Sequence, residues 1–116
     1  MQPINRDQVK NIIDNHESAI LVDATSEMDY ASRHIPGAVS IPAGKVEELA
    51  PQLIKNKDDR IITYCGSTQC PASTMVAESL ERMGYTNVNE YKPGKADWKQ
   101  AGYPLEDSSG GDIPVG

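Results

Sequence analysis

A small α/β domain built on a parallel sheet is the fold class that this sequence predicts. Residues 19–22 form a short continuous apolar run, the pattern of a strand buried on both faces, and residues 61–64, Ile-Ile-Thr-Tyr, read as a second buried strand. Around them the apolar spacing changes to that of helices, most strongly over residues 72–83. Strands alternating with helices imply βαβ units, and ligands of such sheets bind beyond the carboxyl ends of the strands. A chain of 116 residues suits one domain around one core.

Asn5 and Gln8 have the spacing of a capping box, and Val9, Ile12 and Ile13 share one face of the helix expected over residues 6–15. The first strand ends at Asp23, which is expected to bond backbone at the sheet edge. Ser26 and Asp29 mark the capped start of a short helix through residue 32. Pro36 and Gly37 signal a turn, and a brief strand at 39–41 closes at Pro42. Val46, Leu49, Leu53 and Ile54 suggest helix, with Pro51 interrupting it or starting a new turn of it. Residues 56–59 read as a polar loop, and 61–64 as the best strand in the chain. In the helix that follows, Ala72, Met75, Val76, Ser79, Leu80 and Met83 define the apolar face. Pro71 fits its first position and Gly84 its C-terminal cap. A strand at 88–91, a turn at Pro93 and Gly94, and a helical turn over 96–101 around Trp98 follow. The domain is assigned to residues 1–105. Residues 106–116 are rich in Ser, Gly and Asp without periodicity, and are expected to form a flexible C-terminal tail.

Hydrophobic content of 38% and charged content of 24% suit a soluble globular protein. A formal net charge of −6 argues against nucleic acid, whose binding rests on phosphate neutralisation, and against docking on an anionic membrane. No apolar run approaches the roughly 20 residues that span a bilayer, and residues 1–6 lack the apolar stretch of a signal peptide. The expected compartment is the cytoplasm. In that reducing setting two cysteines read as reactive thiols rather than a permanent staple.

Cys65 falls at the junction of the best strand and the strongest helix. A thiol there faces loop N–H groups and the positive end of a helix dipole, and both favour thiolate. Cys65 is the candidate catalytic nucleophile. The loop of Gly66, Ser67, Thr68, Gln69 and Cys70 is the candidate substrate-binding cradle, since a sulfur anion needs several inward N–H donors. Gly66 is expected to let the chain turn directly after the nucleophile. Cys70 reads equally as a packing residue, a resolving thiol or a second sulfur carrier. A curled loop brings it near Cys65, so a disulfide under oxidant is expected if the Cα atoms lie within roughly 7 Å. No metal site or cofactor is expected, because only His16 and His34 could join the cysteines as ligands. His16 reads as a solvated helix-end residue, His34 as a residue that holds its turn, and Trp98 as core. Lys92, Lys95 and Lys99 form a basic cluster that is either a solvated face or a source of positive field for the loop.

These residues also fall in a recognisable order. Leu21, Val22 and Asp23, Tyr30 and Ala31, the run His34, Ile35, Pro36, Gly37, Ala38, then Ile41 and Pro42 make the first half. Tyr64 and Cys65, Ala72, Ser73 and Leu80, Gly84 and Tyr85, Asn87 and Val88, Gly94, Trp98, Gly102, Tyr103 and Pro104 make the second. Over residues 5–105 the chain resembles a single-domain rhodanese-like protein, a sulfurtransferase. The resemblance implies a rhodanese-like three-layer fold with a central parallel sheet flanked by helices. It implies transfer of a sulfane sulfur through a persulfide on Cys65 to a thiol or cyanide acceptor. The implied partners are a small sulfur donor and a thiol acceptor, or a protein in their place; the oligomeric state is not read from the sequence.

Three departures bear on the chemistry. Cys70 stands where family members often carry Arg, so binding of thiosulfate, a dianion, is expected to be weak. Asp23, Ala24, Thr25 replaces an Asp-x-Arg pattern, so an anchoring ion pair is expected to be missing. A later Gly-Gly pair is reduced to Pro93 and Gly94. Competing functions are a thiol–disulfide redox protein in which Cys65 attacks and Cys70 resolves, and a non-catalytic rhodanese-fold binding or regulatory domain. Phosphatase chemistry is disfavoured, because no Arg stands between Gly66 and Ser73 to hold phosphate oxygens bidentately.

Overall fold

The computed structural model describes residues 1–107. Five strands, β1 (Gln2–Pro3), β2 (Ile20–Asp23), β3 (Val39–Ser40), β4 (Ile61–Tyr64) and β5 (Val88–Tyr91), form one sheet. Their order is β1-β5-β4-β2-β3, and every pairing is parallel. Five helices cover its faces: α1 (Arg6–Asp14), α2 (Glu27–Ser32), α3 (Val46–Leu53), α4 (Ala72–Arg82) and α5 (Gly94–Gln100).

The two runs behave as their pattern predicts. All four residues of β4 are buried, because alternate side chains serve opposite layers. Ile61 joins Val46, Ala50, Val76 and Leu80 in the core beneath α3 and α4. Ile62 and Tyr64 join Val9, Ile12 and Trp98 in the core beneath α1 and α5. Burying a side chain such as Ile61 or Ile62 fully contributes about 1.5–3 kcal/mol. Trp98 is core, with no exposure; its indole N–H donates to the Pro104 carbonyl at 2.7 Å. The Asn5–Gln8 capping box closes the first turn of α1, and the Ser26 hydroxyl accepts from the Asp29 N–H to start α2.

Several elements differ from expectation. β1 has no sequence signal, being two exposed residues that pair at the sheet edge with Asn89 and Glu90 of β5. Pro51 does not break α3. Its missing N–H falls toward Glu47, and both residues are exposed, so water can satisfy the carbonyl. The buried stripe of α4 is Ser73, Val76, Ala77 and Leu80, while Met75 is 51% exposed. Ser73 can face inward because its hydroxyl donates to Glu90 at 2.8 Å. α5 begins at Gly94 rather than residue 96, because loop carbonyls receive its first N–H groups. Glu106, expected to open the tail, is tied to the folded body: its N–H and carbonyl pair with those of His34, each at 2.9 Å. The tail from residue 108 onward lies outside the described residues.

Candidate active site

Parallel strands bring their carboxyl ends to one edge, and Cys65 stands there, directly after the central strand β4. It is 1% exposed. The chain leaves β4 through Gly66, Ser67, Thr68, Gln69, Cys70 and Pro71 and enters α4 at Ala72, with no side chain capping that helix. Cys65 and Cys70 are joined as a disulfide, with Cα atoms 6.2 Å apart. The Cys70 N–H donates to the Ser67 carbonyl at 3.1 Å. The N–H groups of residues 66–69 have no protein acceptor among the described residues.

Gly66 is not the glycine this turn depends on. A Cβ there would meet open space, and its φ lies outside the left-handed region. The strict position is Gly94, with φ +66°, where a Cβ would fall onto the Cys65 carbonyl. That close approach lets the Lys95 N–H donate to the Cys65 carbonyl and the Ala96 N–H to the Gly66 carbonyl, both at 2.9 Å. The start of α5 therefore pins the peptide that carries Cys65. Gly94 is the member of the expected Gly-Gly pair that this chain retains.

The lysine cluster is not one solvated face. Lys92 Nζ donates to the Cys70 carbonyl at 3.2 Å and to Thr74 Oγ1 at 3.1 Å, and lies 4.0 Å from Glu90. Glu90 also accepts from the hydroxyls of Ser73 and Thr74. A cation thus reaches the end of the loop from the segment after β5. Lys95 turns the other way. Its Nζ lies 3.1 Å from Oδ2 of Asp23, whose side chain is wholly buried. That contact is an ion pair without hydrogen-bond alignment. Lys95 Nζ also donates to the Asp29 carbonyl at 3.2 Å and to the Arg33 carbonyl, at the carboxyl end of α2. The anchor expected to be missing is therefore present, supplied by Lys95 where the family pattern would place an Arg at position 25. Lys99 is exposed.

Asp23 does bond backbone, since its Oδ1 accepts from the Thr25 N–H at 2.9 Å and from the Thr25 hydroxyl. It pairs across the sheet with Tyr64, the residue before Cys65. Burial, and secondarily the Asp23 charge, push the Tyr64 phenol well above its ordinary pKa. Tyr64 accordingly stays neutral and accepts from the Ile35 N–H at 3.0 Å. His34 is structural: Nδ1 lies 2.8 Å from the Tyr30 carbonyl, its ring stacks on Tyr30 at 4.0 Å, and Nε2 lies 3.3 Å from Glu106. His16 is exposed beyond the end of α1. Sequence reasoning missed Glu90, although a carboxylate within a short predicted strand was a usable signal.

These features define a class: a parallel α/β domain that presents one cysteine at the end of its central strand, on a short loop that opens onto a helix. The chain belongs to the rhodanese-like domain family, whose family model matches residues 5–101. It is 35% identical over 95 residues to YrkF of Bacillus subtilis (strain 168), a candidate sulfur carrier protein, covering 82% of this chain and 49% of that one. It is 31% identical over 67 residues to the thiosulfate sulfurtransferase PspE of Escherichia coli (strain K12), covering 58% of this chain and 62% of the other. The BH2092 protein of Bacillus halodurans superposes with a TM-score of 0.85 at 27% identity, over 99% of this chain and 85% of that one. The chain thus spans about half the length of the first of these relatives. Among the described residues no helix is long and apolar enough to cross a membrane.

Proposed function

We propose that this domain is a sulfurtransferase in which Cys65 carries a sulfane sulfur as a persulfide. The observation that carries the reading is the placement of Cys65 at the end of β4, before the uncapped start of α4, in a rhodanese-like domain. The reduced Cys65 thiolate attacks the outer sulfur of a donor, and the donor's remaining thiolate or sulfite leaves. The N–H groups of Gly66, Ser67, Thr68 and Gln69 hold the persulfide anion. An acceptor thiol or cyanide then attacks the outer sulfur and frees Cys65. Persulfides and polysulfides are the donor class we favour, because the loop itself holds no cation for a dianion such as thiosulfate. Each charge-assisted hydrogen bond so absent is worth about 1.5–3 kcal/mol. The working compartment is a reducing one, the cytoplasm, which keeps the cysteine pair open.

The Cys65–Cys70 disulfide favours a second reading, a thiol–disulfide redox protein. One experiment separates the two. The Cys70→Ser chain, which cannot close that disulfide, is treated with polysulfide or thiosulfate and its intact mass is measured. A gain of one sulfur atom located on Cys65 supports the sulfurtransferase, with polysulfide loading faster. No gain with either donor sinks it and leaves the redox or the non-catalytic reading.

A further inference from the structure

The structure holds a second cysteine sulfur against Cys65. The backbone on both sides of Cys70 is fixed: its N–H is bound by the Ser67 carbonyl and its carbonyl by Lys92 Nζ. In this position its Sγ reaches the Sγ of Cys65 and bonds to it. The Cα separation of 6.2 Å lies within the ordinary span of a disulfide. Cys70 is half-buried and Cys65 nearly wholly buried. Lys92 Nζ, 3.2 Å from the Cys70 carbonyl, ties this end of the loop to the segment after β5. A thiolate so held is directed at the inner sulfur of any persulfide formed on Cys65.

We propose that Cys70 discharges the Cys65 persulfide and releases its outer sulfur as sulfide. The proposal rests on the sulfurtransferase reading of Cys65 and adds a reaction that needs no external acceptor. The Cys70 thiolate attacks Cys65 Sγ. The Sγ–Sγ bond forms, the bond to the outer sulfur breaks, and hydrosulfide leaves with the electron pair and takes up a proton as solution pH requires. The sulfane sulfur is reduced, and the two cysteines are oxidised to the disulfide seen here. Hydrosulfide is a better leaving group than an alkyl thiolate, because hydrogen sulfide is the stronger acid. An external dithiol then reduces the disulfide and readies the site. Under this scheme the domain turns a persulfide or polysulfide into sulfide at the expense of a dithiol, and the disulfide is an intermediate of the cycle.

The test uses the reduced full chain, treated with a limiting amount of polysulfide and freed of small molecules. Sulfide is trapped and counted while intact mass is followed, with no thiol added. The wild type should release close to one sulfide for each chain that took up sulfur, and those chains should end with the mass of the Cys65–Cys70 disulfide. The Cys70→Ser chain should keep the added sulfur on Cys65 and release sulfide on the order of tenfold more slowly or less, since it lacks the positioned thiol. Adding a dithiol should restore turnover to the wild type. A wild type that holds a stable persulfide overturns the internal acceptor and leaves the sulfurtransferase reading standing. So does sulfide release from Cys70→Ser at the wild-type rate. If Cys70→Ser never gains sulfur, both readings fail together.

Discussion

Replacing Lys95 with Met tests whether a cation from α5 does the work of the missing Arg near position 25. The Lys95 side chain is 13% exposed and that of Asp23 not at all. Lys95→Met keeps the aliphatic stem and the backbone N–H bond to Cys65, and removes only the ammonium. Asp23 then keeps the Thr25 N–H and hydroxyl on Oδ1 and loses its counter-charge on Oδ2, while carbonyls of Asp29 and Arg33 lose a donor. Removing one partner of a buried ion pair costs about 3–5 kcal/mol. The Thr25 bonds hold the cost to the low end, about 3 kcal/mol. At roughly 4–8 °C per kcal/mol for a domain near this size, the melting temperature should fall by roughly 12–24 °C. Urea denaturation of wild type, Lys95→Met, Asp23→Asn and the double variant measures the coupling. The double variant should be more stable than the two losses added together predict, by about 1–3 kcal/mol. A loss below about 1 kcal/mol in Lys95→Met, or strict additivity in the cycle, would show that this pair anchors nothing.

Gly94→Ala should cost about 2–4 kcal/mol, from the left-handed φ of +66° and from the lost hydrogen bond when the Cys65 carbonyl is pushed aside. Urea denaturation checks the loss, and timed alkylation of the reduced chain should show Cys65 reacting at an altered rate while Cys70 is little changed. Alkaline pH should reveal four phenols whose ionisation the fold resists. Burial comes first among the causes that raise Tyr30, Tyr64, Tyr85 and Tyr91, and a bond to Asp97 adds to it at Tyr91. Each binds its proton more tightly folded than unfolded. Their stabilising contribution is whole below about pH 10, the ordinary tyrosine pKa, and is lost as pH rises above it. Ultraviolet titration should show Tyr64 and Tyr91 ionising only with unfolding; smooth ionisation of all tyrosines near pH 10 with the fold intact would contradict their burial.

Most of the sheet was legible because residues 19–22 make a continuous apolar run and residues 61–64 a β-branched and aromatic one, as buried strands do. α1 and α2 announced their starts through side-chain caps that need no tertiary partner. β1 was illegible for the opposite reason: a strand of two exposed residues exists only because β5 offers it an edge. The face of α4 was misjudged because hydropathy alone ranks Met75 above Ser73. Ser73 turns inward because Glu90, seventeen residues away in sequence, accepts a hydrogen bond from its hydroxyl. The position of Cys65 followed from local pattern. What surrounds it did not, since Lys92, Lys95 and Gly94 reach it only through the packing of α5 against the loop.

That packing changes what the departures from the family pattern mean. Two cations look absent from the sequence, one in the loop and one after Asp23. Both places are served from a single short segment, Lys92 reaching the Cys70 carbonyl and Lys95 reaching Asp23. Gly94, between them, permits the close approach of the start of α5 to the backbone of Cys65 and Gly66. The replacement is not equivalent. An Arg in the loop would offer a planar fork to two oxygens of one ligand, whereas Lys92 is a point charge already engaged by a carbonyl and a hydroxyl. Such a site suits a singly charged persulfide held by backbone N–H groups better than an oxyanion that asks for bidentate pairing. It also leaves the space of the loop Arg to a sulfur atom, which an Arg side chain would exclude. Under the proposed discharge, the residue that stands where the family pattern often has Arg is the one whose sulfur meets that of Cys65.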